Sequence, residues 1–277
     1  MRQAGRPLTT APDQSNPEPN EVLMAVTAVR TTTLIPQPRS SAENGDVRSS
    51  APEPSTCRAV AYQRVLHQLV RRELRLLADL TDWAPAGEPE RTVALTGHAQ
   101  LISRLLLHHH DVERDAVWPA LLRATPVARA DEVRTALDDW TVRAAHVDQL
   151  LRDLATAGRQ WQVAGSPPAR AAFASACREL ADAVDVQTAD EEATLLPLLA
   201  EYLQPGDWAA IARSSRCRLS GHEQLLVLGL ALEDASAEER VRLLEGLPRS
   251  VRSAWRLHGK SHYRAAMVRL RGAPPAR

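Results

Sequence analysis

Cysteine is scarce in this chain, which has three, Cys57, Cys177 and Cys217, with no Cys-x-x-Cys spacing. An odd and widely spaced set favours neither a disulfide framework nor a thiolate zinc site. Only one of the 34 basic residues is a lysine, Lys260, and the chain is rich in Ala and Pro. This composition is typical of GC-rich bacterial genes. We therefore expect a bacterial protein that works in the reducing cytoplasm.

Long apolar runs and an excess of charge of one sign are also missing. The longest apolar run covers residues 225–232, whereas a membrane-spanning helix needs roughly 18 or more such residues. The N-terminus has no signal-peptide core. Lys and Arg number 34, as do Asp and Glu, so the formal net charge is zero. The sequence thus predicts a soluble protein whose partner is neither a membrane nor nucleic acid.

Proline is concentrated at the start of the chain, where residues 1–56 contain eight prolines among Ser, Thr, Asn and Glu. Helical periodicity is weak there, so we predict a disordered tail over these residues. From Cys57 onward, apolar residues recur at helical spacing and strand-like alternation is missing. The rest of the chain is therefore predicted to be all-α.

Four long helices are predicted after the tail, each ended by a turn, glycine or proline signal. We expect them to pack as an antiparallel four-helix bundle over residues 57–204, followed by a C-terminal helical extension over residues 205–277. The four helices are predicted at residues 58–80, 90–123, 131–157 (ended by Gly158) and 169–203, and the extension at residues 207–216, 221–233, 237–247 and 249–271.

The second and fourth helices end in related sequences. Glu113 lies six residues before Pro119, and Glu191 lies six residues before Pro197, with apolar residues after each proline. This symmetry suggests two helices that present equivalent carboxylates to one place. The alternative interpretation is that proline ends two similar amphipathic helices.

Histidines stand in the middle of the helices. His109 lies four residues before Glu113, which places their side chains only about 40° apart around the helix and about 6 Å apart along it. His67 and His146 lie among apolar residues of the first and third helices. A lone histidine on such a face is more often a core residue than a ligand. Four consecutive helices that each offer His or Glu favour an iron site, because imidazole and bridging carboxylates suit that metal.

This pattern resembles the hemerythrin-like (HHE cation-binding) family over about half of the chain. The matching features are a His on helix one, His-x-x-x-Glu with an apolar-Pro tail on helix two, a His on helix three and Glu with a similar tail on helix four. The resemblance implies a non-haem di-iron centre, with His67 and His109 on one iron, His146 on the other, and Glu113 and Glu191 as bridges. The family binds O2 or NO, stores or senses iron, or repairs iron centres.

One position departs from the family pattern. In the family, the fourth helix also contains His-x-x-x-Glu. In this chain the residue four positions before Glu191 is Gln187, whose side chain is a weak neutral oxygen donor. Three outcomes stay open: a lopsided di-iron site, a single iron held by the first two histidines, or a bundle that binds no metal. His110 or Asp190 could compensate for the missing imidazole.

We expect a protein that senses, carries or stores iron, O2 or NO, with a metal-free structural or interaction protein as the alternative. No catalytic nucleophile or general-acid pair stands out, so the sequence does not predict an enzyme. A di-iron oxidase would need a substrate pocket. Residues 254–261 fit a loose P-loop pattern, but no strand precedes them. His258 and His262 lie on a basic helix, which disfavours a metal between them.

Overall fold

The computed structural model describes residues 58–215 and 219–272. Within these ranges the regular structure is entirely helical, which confirms the predicted all-α class. The tail predicted over residues 1–56 lies outside the described residues, as do Cys57 and Cys217. In the described part, no helix combines the length and the apolar character that crossing a membrane requires.

The helices follow one another with short connections. In chain order they are α1 (Arg58–Trp83), α2 (Pro89–Val112), α3 (Trp118–Ala124), α4 (Ala130–Ala164), α5 (Pro167–Tyr202), α6 (Pro205–Ser214), α7 (Gly221–Glu233), α8 (Ala237–Gly246), α9 (Arg249–Ala254) and α10 (Lys260–Arg271). A π-helical turn (Glu113–Val117) joins α2 to α3, a second π-helical turn (Trp255–Gly259) joins α9 to α10, and a 3-10 turn (Val127–Arg129) precedes α4.

α1, α2, α4 and α5 pack as an antiparallel four-helix bundle around one apolar core. α5 lies along both α1 and α4, and α2 packs against the other sides of α1 and α4. The buried face of α4 repeats at alternating three- and four-residue spacing, which keeps its apolar side chains on one side of the helix. The members of this stripe are Val133, Leu137, Trp140, Ala144, Val147, Leu151 and Leu154.

α4 is longer than predicted. The expectation that Gly158 ends this helix is wrong, because Gly158 lies inside α4 where the helix approaches α5 closely. A Cβ at this position would stand 3.3 Å from Cε2 of Phe173. The helix ends instead at Gly165, whose φ of 56° is the left-handed conformation that glycine adopts without steric cost.

The C-terminal helices pack on the outside of the bundle, where α7 contacts α1 and α10 contacts α2 and α7. A buried carboxylate lies at this junction. Glu73 of α1 accepts hydrogen bonds from His98 Nε2 of α2 at 2.8 Å and from Arg271 Nη2 of α10 at 3.1 Å. Arg72 Nε donates to the same carboxylate at 2.7 Å. This network ties the extension to two helices of the bundle.

Candidate metal centre

Four buried side chains converge in the middle of the bundle. His67 of α1, His109 of α2, Glu113 of the π-helical turn and Glu191 of α5 each offer a ligand atom, and these atoms lie within 4.8 Å of one another. His67 Nε2 is 3.5 Å from Glu191 Oε1, and His109 Nε2 is 3.3 Å from Glu113 Oε1. None of the four residues is more than 1% exposed. We call these four residues the central cluster.

The π-helical turn begins at Glu113, so the prediction of one continuous α-helix over residues 90–123 is wrong at this point. The backbone N–H of Glu113 still donates to the carbonyls of His109 and His110, which keeps the His-x-x-x-Glu pair in register. Pro119, just beyond the turn, has no N–H to donate to the carbonyl four residues before it. Single π-helical turns of this kind are common at functional sites.

Two polar side chains outside the central cluster orient its members. Gln63 Nε2 of α1 donates a hydrogen bond to Glu113 Oε1 at 2.6 Å. Glu192 Oε1 lies 3.0 Å from His67 Nδ1 and accepts a hydrogen bond from it, which directs Nε2 of that ring towards Glu191. A carboxylate behind an imidazole is a common support for a metal ligand. Our sequence reasoning missed both residues, although Gln63 stands one helical turn before His67 and Glu192 directly follows Glu191.

The structure does not bring His146 into the central cluster. Its side chain is exposed on α4, because the buried stripe of that helix passes through Ala144 and Val147 on either side of it. This corrects the expectation that His146 faces the bundle interior beside a second iron. Asp190, which could have compensated for Gln187, pairs instead with Arg143 of α4.

His110 of α2 is the imidazole that faces α4 and α5 inside the bundle, and it is 1% exposed. Its Nδ1 lies 2.8 Å from Asp148 Oδ1 of α4, and its Nε2 lies 3.0 Å from Gln187 Nε2 of α5. The ring stands edge-on to Trp140 with the centroids 6.0 Å apart. His109 and His110 are about 100° apart around α2, with their ring centroids 6.0 Å apart, and they have different neighbours: His109 lies against His67 of α1, and His110 lies against α4 and α5.

Burial and mutual charge shift the pKa values of the central cluster. Burial raises the pKa of Glu113 well above its usual range, and the neighbouring Glu191 carboxylate adds to this shift. Burial lowers the pKa of His109 well below its usual value, and His67 lowers it further. For His67 itself, burial acts to lower the pKa but Glu191 and Glu192 together raise it. A cation between the two carboxylates would relieve their repulsion.

The donor atoms of the central cluster fit a metal ion. In the part of the chain that the structure describes, both ring nitrogens of His109, both carboxylate oxygens of Glu191 and Oε2 of Glu113 have no hydrogen-bond partner. Buried polar atoms are normally paired, so this set is incomplete without a bound species. Two imidazoles and two carboxylates form a donor set that suits a first-row transition metal such as iron.

The two motifs set aside from the sequence lie elsewhere in the fold. Residues 254–261 are helical, running from the end of α9 through the second π-helical turn into α10. This is not the strand, loop and helix of a P-loop. His262 contacts His222 of α7, with their Nδ1 atoms 3.0 Å apart at the surface.

Comparison with known families agrees with this geometry. The model of the Hemerythrin HHE cation binding domain matches residues 58–200, just over half of the chain. That range begins with α1 and includes all four residues of the central cluster. Neither the curated proteins nor the solved structures contain a match to this chain. On the family match, the chain belongs to the hemerythrin HHE cation-binding domain family.

Proposed function

We propose that this protein binds non-haem iron in the central cluster and serves as a sensor, carrier or storage module for iron, O2 or NO in the bacterial cytoplasm. The observation that carries the proposal is the convergence of His67, His109, Glu113 and Glu191 inside a bundle of this family. Imidazole and carboxylate ligands that project inward from facing helices are the means by which helical bundles hold iron.

Each residue of the site has a distinct role in this proposal. His67 and His109 donate ring nitrogens to the metal, and the carboxylates of Glu113 and Glu191 neutralise its charge. Gln63 orients one of the carboxylates. Iron, when bound, supplies a redox-active ion that can take up a small ligand. Because the ligands are almost fully buried, O2 and NO suit the site better than a bulky organic substrate does.

Metal analysis of aerobically purified protein, with absorption spectra before and after addition of azide, tests the proposal. Wild type should contain iron and show charge-transfer bands that respond to azide. His109→Ala and Glu113→Ala should each lose most of the metal. His146→Ala is the matched control and should keep it, because this histidine is exposed. Wild-type protein that stays iron-free after reconstitution with Fe(II) would contradict the proposal.

A metal-free structural or interaction protein is the second candidate. The observation that favours it is the absence, within the described bundle, of two imidazoles of the family pattern: Gln187 stands on α5 and His146 faces solvent. Iron-free wild type together with unchanged stability of His109→Ala would support this candidate. Efficient turnover of peroxide by the iron-loaded protein would favour an oxidase or peroxidase instead.

A further inference from the structure

Two exposed histidines face each other where the C-terminal helices meet. His222 lies in the first turn of α7, and His262 lies in the first turn of α10. Their Nδ1 atoms are 3.0 Å apart, and their ring centroids are 4.6 Å apart with the ring planes at 84°. The structure thus pairs His262 with a histidine of another helix, at a place outside the central cluster.

The separation of these two nitrogens is that of two ligands on one metal ion. Bonds between zinc and histidine nitrogen are about 2.0–2.1 Å long, so two such nitrogens on one ion, at right angles or at the tetrahedral angle, are about 2.9–3.3 Å apart. Imidazole is a preferred ligand of zinc and copper. Both rings are exposed, so they can turn to aim their lone pairs at one ion while water occupies its other coordination positions.

The positive charges of α10 lie mostly away from this pair. Lys260 and Arg264 stand two residues to either side of His262, which turns them about 160° away from it around the helix. One turn further along the face of His262 stands Ala266, and Arg269 follows about 10 Å along the axis. The basic composition of α10 therefore weighs less against a metal shared with α7 than against one held within α10.

The charges around His222 are balanced. Glu223, the next residue of α7, accepts hydrogen bonds through Oε2 from the backbone N–H of Ser220 at 2.8 Å and from its hydroxyl at 2.9 Å. This carboxylate offsets the positive end of the helix dipole at the start of α7. Its other oxygen pairs with Arg104 of α2, which balances that guanidinium charge.

The backbone before His262 also has an unusual geometry. The second π-helical turn, Trp255–Gly259, ends three residues before this histidine. A Cβ on Gly259 would stand 2.5 Å from Cε3 of Trp255, so the aromatic ring rests on the glycine. The turn changes the register of α10 relative to α9 and thereby helps to set the direction of His262. Single π-helical turns are frequent at functional sites.

We propose that Nδ1 of His222 and Nδ1 of His262 together bind one divalent transition-metal ion of the class that prefers imidazole, such as Zn(II), and that this ion links α7 to α10 at the surface. Because each helix supplies one ligand, the ion acts as a cross-link within the C-terminal extension. This site goes beyond the proposed function and does not depend on it, since it shares no residue with the central cluster.

Equilibrium dialysis of the full-length protein against Zn(II), followed by metal analysis, tests the site. At a zinc concentration that just saturates wild type, His222→Ala and His262→Ala should each bind one ion fewer per chain. His146→Ala removes an exposed histidine from α4 and should bind as many ions as wild type. Zinc taken up by the central cluster is the same in all four proteins and cancels in the comparison. Unchanged zinc content in either His222→Ala or His262→Ala overturns the site and leaves the iron proposal intact.

Hydrogen exchange shows whether the ion joins the two helices. Zinc should slow amide exchange in both α7 and α10 of wild type, because an ion held from both sides opposes their separation. It should have no such effect in His222→Ala or His262→Ala, and circular dichroism checks that these surface variants are folded. Protection of one helix alone would mean that the ion is held by a single histidine, and would overturn the cross-link.

Discussion

At the scale of single residues, His67 contacts two adjacent carboxylates of α5 that have different surroundings. Glu191 faces Nε2 and is 1% exposed, whereas Glu192 accepts a hydrogen bond from Nδ1 and is 29% exposed. Glu191 therefore lies on the Nε2 side of the ring, inside the central cluster, and Glu192 lies behind the ring. In the proposed function, a metal ligand and the residue that orients another ligand are thus neighbours in sequence.

We expect Glu191→Gln to abolish metal binding, because it removes a negative charge and a strong oxygen ligand from the central cluster. Glu192→Gln keeps a hydrogen-bond acceptor behind His67 and should weaken metal binding about 10- to 100-fold. Competition with a chelator of known affinity measures the difference. Equal losses in the two variants would argue against separate roles.

The sequence pattern placed His67 and His109 on buried helix faces, as the structure does. It misplaced His146, because the apolar residues of α4 are compatible with two different buried faces. On α4, Val142 and His146 share a helical face, but Val142 is 71% exposed, and the buried stripe contains Ala144 and Val147 instead. A displacement of one residue turns a side chain by about 100° and moves it out of the bundle.

At the scale of helices, glycine marks the place where α7 and α10 approach each other. A Cβ on Gly229 of α7 would lie 2.3 Å from Cδ2 of Tyr263, so the aromatic ring rests directly on the glycine. Tyr263 also donates a hydrogen bond to Glu233 Oε2 at 2.8 Å. Gly97 on α2 differs, because a Cβ there would have no atom within 4 Å outside its own helix.

The same substitution should therefore have opposite effects at these two glycines. Gly229→Ala should lower the free energy of unfolding by about 1–3 kcal/mol, because the added methyl group displaces Tyr263. Gly97→Ala should raise it by about 0.5–1 kcal/mol, because alanine favours a helix and meets no obstacle. Urea denaturation followed by circular dichroism measures both. A stabilised Gly229→Ala protein would mean that α7 and α10 do not pack as closely as described.

The π-helical turn was beyond what sequence periodicity could predict. Apolar residues continue at helical spacing on both sides of Glu113, so residues 90–123 read as one helix. Pro119 does not reveal the turn either. Proline is common in the first turn of a helix, so its position alone does not show that the preceding turn is π-helical. The turn follows from how backbone hydrogen bonds are shared at Glu113, which a pattern of residue types does not record.

At the scale of the whole molecule, metal binding should be coupled to folding. Burial and the neighbouring Glu191 raise the pKa of Glu113, so ionising both carboxylates in the core works against the folded state, and a bound cation would offset this cost. Free Fe(II) at 100 times its dissociation constant should add about 2.7 kcal/mol to the free energy of unfolding, if only the folded chain binds it. Anaerobic scanning calorimetry should show a higher melting temperature on loading and a reversal by chelator. Glu191→Gln serves as the control and should not respond.

The bundle and its C-terminal helices should also respond together to pH, through Glu73. Burial alone would raise the pKa of this carboxyl, but His98, Arg72 and Arg271 lower it to about 2, well below the ordinary glutamate value of 4.5. A carboxyl whose pKa is lower in the folded chain stabilises the fold above the unfolded pKa. This contribution is present above about pH 4.5 and is lost as the pH falls towards 2.

We expect Glu73→Gln to lower the free energy of unfolding by about 3 kcal/mol at pH 7, because it leaves the partly buried guanidinium groups of Arg72 and Arg271 without the carboxylate that lies between them. The difference from wild type should shrink as the pH falls from about 4.5 towards 2, because the unfolded chain protonates Glu73 in this range while the folded chain still holds the carboxylate ionised. Urea denaturation at a series of pH values measures it, with the exposed Glu179→Gln as a control that should follow wild type. A difference that stays constant from pH 7 to pH 3 would mean that packing, and not the charge of Glu73, joins the C-terminal helices to the bundle.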